Sequence, residues 1–345
     1  MNAQQILVTG GAGFIGSNLV NRLLSEGHRV TIYDNLSRSG CHQNIAWLRQ
    51  THGEQSFCLM QGDITNYEQL ACAATGAQRI YHLAGQVAVT TSVTQPRQDF
   101  AANALGTFNL LEAARLVADD PIVIYASTNK VYGGMEDIGI TEGETRYCYT
   151  HLPYGIPETQ PLDFHSPYGC SKGAGDQYTR DYARIYQVRT VVARQSCIYG
   201  YRQFGIEDQG WLAWFIIAAL KKRPISIYGN GKQVRDILFI EDLLDAYAAI
   251  VENIDHAAGK IYNIGGGPAN TLSIWREFGP LLEDLLGHPV PIQFQDWRPG
   301  DQPVYISDIR KAQRELSWQP QVTVTQGITQ LFSWIQGHPM LFEHL

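Results

Sequence analysis

Charge is what this chain is short of. Only 17% of its 345 residues are Asp, Glu, Lys or Arg, against about 25% in an ordinary globular protein. That shortage argues against a disordered chain, a coiled coil or a solvated charge-rich repeat. Positive charge is the scarcer sign, with 26 basic residues facing 33 acidic ones for a net charge of -7. No bulk field attracts a nucleic-acid backbone, so no nucleic-acid partner is expected. An anionic ligand must be held by a few placed groups. The six cysteines (Cys41, Cys58, Cys72, Cys148, Cys170, Cys197) include no Cys-x-x-Cys pair. Reduced thiols in a cytoplasmic enzyme fit better than a disulfide framework or a zinc site. The ten histidines show no metal-ligand spacing, so no metal is expected. Long apolar runs are missing too. The longest, Trp211 to Leu220, is half the roughly twenty residues needed to cross a bilayer. It reads as a buried amphipathic helix, and no membrane partner is expected. The first residues run into Ile6-Leu7-Val8-Thr9-Gly10-Gly11 without the basic stretch of a secretory signal.

What is present is an apolar content of 44%, enough for a real core, and a length that suits about two domains. Strand-like runs at Gln5–Thr9, Arg29–Tyr33, Phe57–Met60, Arg79–His82 and Ile122–Ala126 alternate with helical spacing at Phe14–Glu26 and Asp99–Val117. A second long helix, Tyr168–Tyr186, precedes a strand at Thr190–Arg194. Such alternation predicts an α/β fold, a doubly wound parallel sheet covered by helices on both faces. Beyond about residue 195 the elements are shorter and separated by breaks such as Tyr228–Gly231, Gly265–Pro268 and Arg298–Asp301. The expectation is a dinucleotide-binding domain over 1–195, with a long functional insertion at 133–166. A smaller α/β substrate-binding domain covers 196–345, some of its segments returning to the first.

Three motifs carry chemistry. Gly10-Gly11-Ala12-Gly13-Phe14-Ile15-Gly16 joins the first strand to a helix start, where backbone N–H groups meet a pyrophosphate at the positive end of the helix. Asp34 closes the second strand; a carboxylate there accepts hydrogen bonds from the adenosine ribose hydroxyls and repels a 2′-phosphate. NAD is therefore expected over NADP, despite Arg38 nearby. Tyr168 and Lys172 are four apart on one helical face. The lysine is expected to sit beside the phenol and lower its pKa, so that a phenolate can take a proton from an alcohol while hydride leaves for nicotinamide. Ser127 and Thr128 follow the strand Ile122–Ala126, where a hydroxyl can bond the oxygen being oxidised. His82 and most tryptophans read as core.

Together these stretches resemble the extended short-chain dehydrogenase/reductase family of nucleotide-sugar enzymes. The resemblance runs through Gly10-x-x-Gly13-x-x-Gly16, Asp34-Asn35-Leu36, Gly62-Asp63-Ile64, His82-Leu83-Ala84, Asn103, Ser127-Thr128, Tyr168-x-x-x-Lys172 and Arg235-Asp236. It implies that Thr128, Tyr168 and Lys172 are catalytic. It implies that NAD, tightly bound and recycled, contacts Gly10, Gly13, Phe14, Ile15, Gly16, Asp34, Asn35, Arg38, Asp63, Ile64, Leu83, Ala84, Asn103, Tyr168, Lys172 and Ile198. A nucleotide-sugar substrate would meet Gln86, Asn129, Cys197, Gln203, Gln209, Arg235, Arg298 and Asp301, the arginines and Asp301 holding its nucleoside diphosphate.

Dehydratases of this family carry an Asp-Glu pair directly after the Ser-Thr; here the positions are Asn129 and Lys130, which cannot act as that acid and base. The run Ser127–Gly133 instead resembles the CDP-tyvelose (CDP-paratose) 2-epimerases, as do Glu142–Tyr147, Leu162–Lys172, Arg202–Phe204, Asp208–Trp211 and Gly229–Asp236. Two positions depart from the family pattern: Cys197 stands where Asn is usual and Tyr201 where Gly is usual. The resemblance implies inversion at C2 by transient oxidation to a 2-keto sugar. A 4-epimerase of a UDP- or CDP-hexose and a non-catalytic NAD-sensing protein are the alternatives. The resemblance also implies a homodimer, or a homotetramer, paired through the long helices Asp99–Val117 and Tyr168–Tyr186.

Overall fold

The structure, a computed structural model, describes residues 3–298 and 301–343; Pro299 and Gly300, in the break Arg298–Asp301, lie outside the described residues. The chain opens with β1 (Gln5–Thr9), α1 (Phe14–Ser25), β2 (Arg29–Asp34), α2 (Cys41–His52), β3 (Phe57–Gln61), α3 (Tyr67–Ala74) and β4 (Arg79–His82). Then come α4 (Val89–Thr94), α5 (Pro96–Phe100), a π-helical turn (Ala101–Leu105), α6 (Gly106–Leu116) and β5 (Ile122–Thr128). The short strands β6 (Ile140–Glu142) and β7 (Tyr147–Tyr149) precede α7 (Ser166–Tyr186), β8 (Arg189–Gln195), β9 (Cys197–Tyr199) and α8 (Trp211–Leu220). The remainder holds β10 (Ile225–Tyr228), β11 (Val234–Phe239), α9 (Ile240–Glu252), α10 (Ile254–Ala257), β12 (Ile261–Ile264) and β13 (Thr271–Ser273). It finishes with α11 (Phe278–Leu286), β14 (Ile292–Gln295), β15 (Val304–Tyr305), α12 (Arg310–Leu316) and α13 (Val324–Gly337).

Two compact units divide these elements. The first comprises the chain up to Val131 with Ser166–Arg194 and Tyr247–Tyr262; the second comprises Tyr132–His165, Gln195–Ala246 and the chain from Asn263 onward. The segment 133–166, expected as an insertion of the first domain, thus belongs almost wholly to the second unit.

The first unit is built on a seven-stranded sheet in the order β12-β8-β5-β4-β1-β2-β3. β1 pairs in parallel with β2 on one side and β4 on the other. The chain winds outward from β1 in one direction and then in the other, so the order reverses between β1 and β4, the position where open α/β sheets take their ligands. Ile6, Leu7 and Val8 are fully buried, as a strand covered on both faces requires. α7 turns a face inward at helical spacing: Tyr168, Ser171, Lys172, Gly175, Asp176, Thr179 and Tyr182 are buried. Gly175 is required because a Cβ there would lie 2.5 Å from the Tyr125 hydroxyl.

The helical spacing over Asp99–Val117 predicts one helix, and the structure interrupts it. At the π turn the Gly106 N–H donates to the Ala101 carbonyl five residues back, which inserts one residue into the repeat. Asn103 and Ala104 are buried on this turn.

In the second unit β11 pairs with β9 and β15 in parallel and with β13 antiparallel, while β10 pairs with β14. α8 is not amphipathic as expected. It is buried at Leu212, Ala213, Phe215, Ile216, Ile217, Ala218 and Ala219, being apolar all round, and Trp211 meets Phe278 edge-on at 5.4 Å. Among the described residues no helix is long and apolar enough to cross a membrane.

Candidate active site

The glycine loop is shaped by close approach of backbone. Gly10 has φ +70°, and a Cβ there would lie 2.7 Å from the Ala84 nitrogen. A Cβ on Gly16 would run into the Gly10 carbonyl. Gly13 differs: its nearest neighbour would be Gly10 O at 3.3 Å, so that side is open to a ligand. No side chain caps α1, which follows Gly13. Its first-turn N–H groups, those of Phe14 and Ile15 included, are left to an anion. Asp34 fixes the loop from β2: Oδ2 accepts from the Ala12 N–H at 3.0 Å and Oδ1 from the Leu36 N–H at 2.8 Å. Burial pushes its carboxyl up; those bonds and Arg38 pull it back in part. Asn35 Nδ2 donates to Asp63 Oδ2 at 3.0 Å. Burial pushes the Asp63 carboxyl up, but bonds from Thr65 and Asn35 outweigh it and leave it below its ordinary value. Ile64 packs in the core, so close to Gly106 that a Cβ there would lie 2.6 Å from Ile64 Cδ1. The cradle at Gly13, the uncapped helix start and the acidic end of β2 fit a dinucleotide.

Between the sheet and the π turn, side chains form a chain of hydrogen bonds. The Leu83 N–H donates to Thr9 O at 3.1 Å, and the Ala84 N–H donates to Thr9 Oγ1 at 3.3 Å. His82 is buried between two hydroxyls, Thr9 Oγ1 at 2.7 Å from Nδ1 and Thr107 Oγ1 at 3.0 Å from Nε2. Thr107 in turn donates to the Asn103 carbonyl at 2.7 Å. Burial, with Lys172 adding to it, pushes the imidazole down to about 3, so His82 is a neutral packing residue. Gln86 turns back on its own loop, its Oε1 accepting from the Ala88 N–H at 2.7 Å.

The three residues expected to be catalytic come together where β5 ends against α7. Tyr168 and Lys172 are both buried, as are Thr128 and Asn129. Thr128 acts on the Tyr168 phenol; its own hydroxyl donates to Asn129 Oδ1 at 3.3 Å and accepts from the Lys130 N–H at 3.2 Å. One expectation is overturned. Burial pushes the phenol up to about 12, with Asp99 adding to it, while Thr128 and Arg38 oppose it. The reason is where the ammonium points: Lys172 Nζ donates to Ala126 O at 2.6 Å and lies 4.3 Å from the centre of the Tyr125 ring. Burial pushes Lys172 itself down to about 7 against the pull of Asp176 and Asp99. Of the pair at the end of β5, the Ser127 hydroxyl donates to Asp176 Oδ2 at 2.7 Å, which leaves the hydroxyl of Thr128, the one expected to be catalytic.

Asp176 is bound in turn by Arg194, Nε to Oδ2 at 2.8 Å and Nη2 to Oδ1 at 2.9 Å. Asp176, Arg194 and Asp99 were not singled out by sequence reasoning, although Asp176 stands four residues after Lys172 and Asp99 four before Asn103, on the same helical faces.

In the second unit both arginines expected to hold a diphosphate already face carboxylates. Arg235 Nη2 donates to Asp301 Oδ1 at 2.5 Å. Arg298 Nη2 lies 3.1 Å from Asp208 Oδ1, with its guanidinium 3.8 Å above the Tyr228 ring. Gln203 is buried, its Nε2 donating to Ile198 O at 3.3 Å while Oε1 has no partner. Gln209 pairs with Ile206 through backbone. Cys197 and Ile198 lie on β9 opposite Ile237 and Leu238, and Cys197 is partly exposed.

Residues 7–331 match the family model described as GDP-mannose 4,6 dehydratase. The chain is 43% identical over 337 residues to a CDP-paratose 2-epimerase of Salmonella typhi, covering 96% of this chain and 98% of that one. It is 33% identical to a UDP-glucose 4-epimerase of Mycolicibacterium smegmatis, again over 96% and 98%. Among solved structures it resembles the UDP-glucuronic acid 4-epimerase of Bacillus cereus in complex with UDP-glucuronic acid and NAD. The TM-score is 0.81 with 28% identity, over 96% of this chain and 99% of that one.

Proposed function

Because this chain belongs to the GDP-mannose 4,6 dehydratase family, of the short-chain dehydrogenase/reductase type, we propose that it is an NAD-dependent epimerase. Its reaction inverts C2 of a nucleotide-linked sugar, as between CDP-paratose and CDP-tyvelose. The observation that carries the reading is the 43% identity to a CDP-paratose 2-epimerase across nearly both full lengths. The residues after Thr128 support it: Asn129 and Lys130 offer no carboxylate pair for dehydration, although the family takes its name from a dehydratase.

The C–H at C2 of a sugar that is not a ketone is not acidic, so inversion there begins with oxidation. When bound, NAD supplies the hydride acceptor and, after the sugar has turned its other face, the hydride donor, so it stays on the protein. Tyr168 takes the C2 hydroxyl proton and later returns it. Thr128 bonds the same oxygen and steadies the phenolate. Lys172, lodged on Ala126 O and the Tyr125 ring, would hold the ribose of the cofactor. Arg235 and Arg298 exchange their carboxylate partners for the substrate diphosphate, giving a net-acidic protein two local cationic sites for an anionic ligand.

The test is incubation with CDP-paratose deuterated at C2, with the product followed by NMR. CDP-tyvelose that retains the deuterium, in H2O and D2O buffers alike, is the expected result. Solvent hydrogen at C2 would sink the hydride-return mechanism, and inversion at C4 would replace the C2 reading with a 4-epimerase.

The enzyme works as a homodimer in the cytoplasm, on this reading, with a tetramer as the larger alternative. Val93, Phe100, Phe108, Tyr178, Ile185 and Tyr186, on the helices from α4 to α7, are large apolar residues left exposed. A second copy burying them removes an apolar area that a monomer seldom shows. Ile185→Glu combined with Phe100→Glu is expected to convert a dimer into a monomer in size-exclusion chromatography with light scattering. An unchanged mass would exclude this face as the interface.

A further inference from the structure

We propose that Asp99 is a positioning carboxylate: it holds Asn103 by a hydrogen bond and sets a negative charge behind the amide that borders the Lys172 ammonium. Its kinetic consequence rests on the epimerase reading; its electrostatic consequence does not.

Asp99 lies in α5, just before the π turn, and is fully buried. Its Oδ1 accepts from Asn103 Nδ2 at 3.0 Å. The Ser171 hydroxyl acts on the same carboxyl and favours its charged form, while Oδ2 is left without a hydrogen-bond partner. Among the described residues no cation stands at ion-pair distance from it. A buried carboxylate with no ion-pair partner is costly, and no structural pairing explains this one. Asp176, the other carboxylate acting on Lys172, does have such a reason: it neutralises buried Arg194.

Gly85 shows how near the two groups lie. A Cβ there would be 2.5 Å from Asn103 Oδ1 and 4.0 Å from Lys172 Nζ, so the amide held by Asp99 and the lysine border the same small space. Asn103 Oδ1 also lacks a partner, while its Nδ2 additionally donates to Gln86 O at 2.9 Å. The π turn makes this possible, because it brings Asn103 inward one residue out of step with the helices on either side.

The groups facing Lys172 act in opposite senses. Burial disfavours its charge; Asp176 from α7 and Asp99 from α5 favour it. Tyr125 from β5 lies under the ammonium, and His82 from β4 stacks on that ring and stays neutral. Tyr168 stands one turn away on α7, with Arg38 acting on its phenol. Asp99 raises the pKa of both Lys172 and Tyr168. Removing its charge therefore makes the ammonium easier to lose and the phenolate easier to form.

The experiment uses Asp99→Asn, which keeps an oxygen for Asn103 and removes only the charge, and Asp99→Glu, which restores it. Asp99→Ser replaces the Asn variant should that one not fold. Full-length protein is labelled with 13C at lysine Cε, the Lys172 resonance being identified by its loss in Lys172→Met. In Asp99→Asn the Lys172 titration moves to lower pH, and in Asp99→Glu it returns toward the wild-type position. In the kinetic arm both limbs of the kcat profile move to lower pH, with KM for the sugar nucleotide within about twofold of wild type. A Lys172 titration unmoved to within about 0.3 pH unit overturns the proposal. A wild-type enzyme inactive on CDP-paratose would overturn the functional reading alone, since the lysine titration still reports on Asp99.

Discussion

Tyr168→Phe is expected to lower turnover of the sugar nucleotide about a thousandfold while the protein remains folded, in the range found when a general base is removed. The ring is buried in α7, and a phenyl group fills the same space, so packing is kept. What disappears is the oxygen that must take the substrate proton. No neighbour replaces it. Lys172 is held on the Ala126 carbonyl, His82 is neutral and enclosed between Thr9 and Thr107, and Ser127 is spent on Asp176. Because burial pushes the phenol up to about 12, the free enzyme carries a protonated Tyr168 at neutral pH. The phenolate must therefore be favoured by groups present only in the loaded site. Turnover measured by NMR, with circular dichroism to report folding, decides the matter. A variant within tenfold of wild type would mean that another group is the base.

The glycine loop, the acidic end of β2 and the Tyr168–Lys172 pair were legible because each is local: a few residues in one turn or on one helical face. The parallel sheet was legible because its strands are buried on both faces and read as short apolar runs. Other features needed three dimensions. The π turn shifts the register by one residue within a stretch whose helical spacing otherwise looks continuous, so Asn103 could be named while its setting with Asp99 could not. Lys172 and Tyr168 do share a face, as i and i+4 spacing requires. Which partner the ammonium takes depends on Tyr125 and Ala126 of a strand 46 and 47 residues earlier in the chain. Arg235 and Asp301 are 66 residues apart, and their pairing has no local signature. The character of α8 was present in the sequence all along. Trp-Leu-Ala-Trp-Phe-Ile-Ile-Ala-Ala-Leu offers no polar face, and a helix apolar all round belongs inside a core.

Asp176→Asn is expected to destabilise the protein by about 3–5 kcal/mol, the usual cost of removing one partner from a buried ion pair. Arg194 and Asp176 are almost wholly enclosed, with side-chain exposures of 2% and 0%. The amide that replaces the carboxylate cannot accept on both sides from the guanidinium, so a full positive charge is left in low dielectric without its counter-charge. Ser127 loses its charged acceptor at the same time, and with it the tie between the end of β5 and α7 that keeps Thr128 against Tyr168. Urea unfolding should show a lower midpoint with an unchanged slope, which marks lost stability rather than a changed unfolded state. A loss below about 1 kcal/mol would mean that the pair is solvated or replaceable. Replacing both partners with apolar residues, Asp176→Leu with Arg194→Met, separates charge from shape. That double variant should recover much of the stability. It should not recover turnover, because Ser127 then has no carboxylate to hold it and Lys172 loses one of the two negative charges that favour its ammonium.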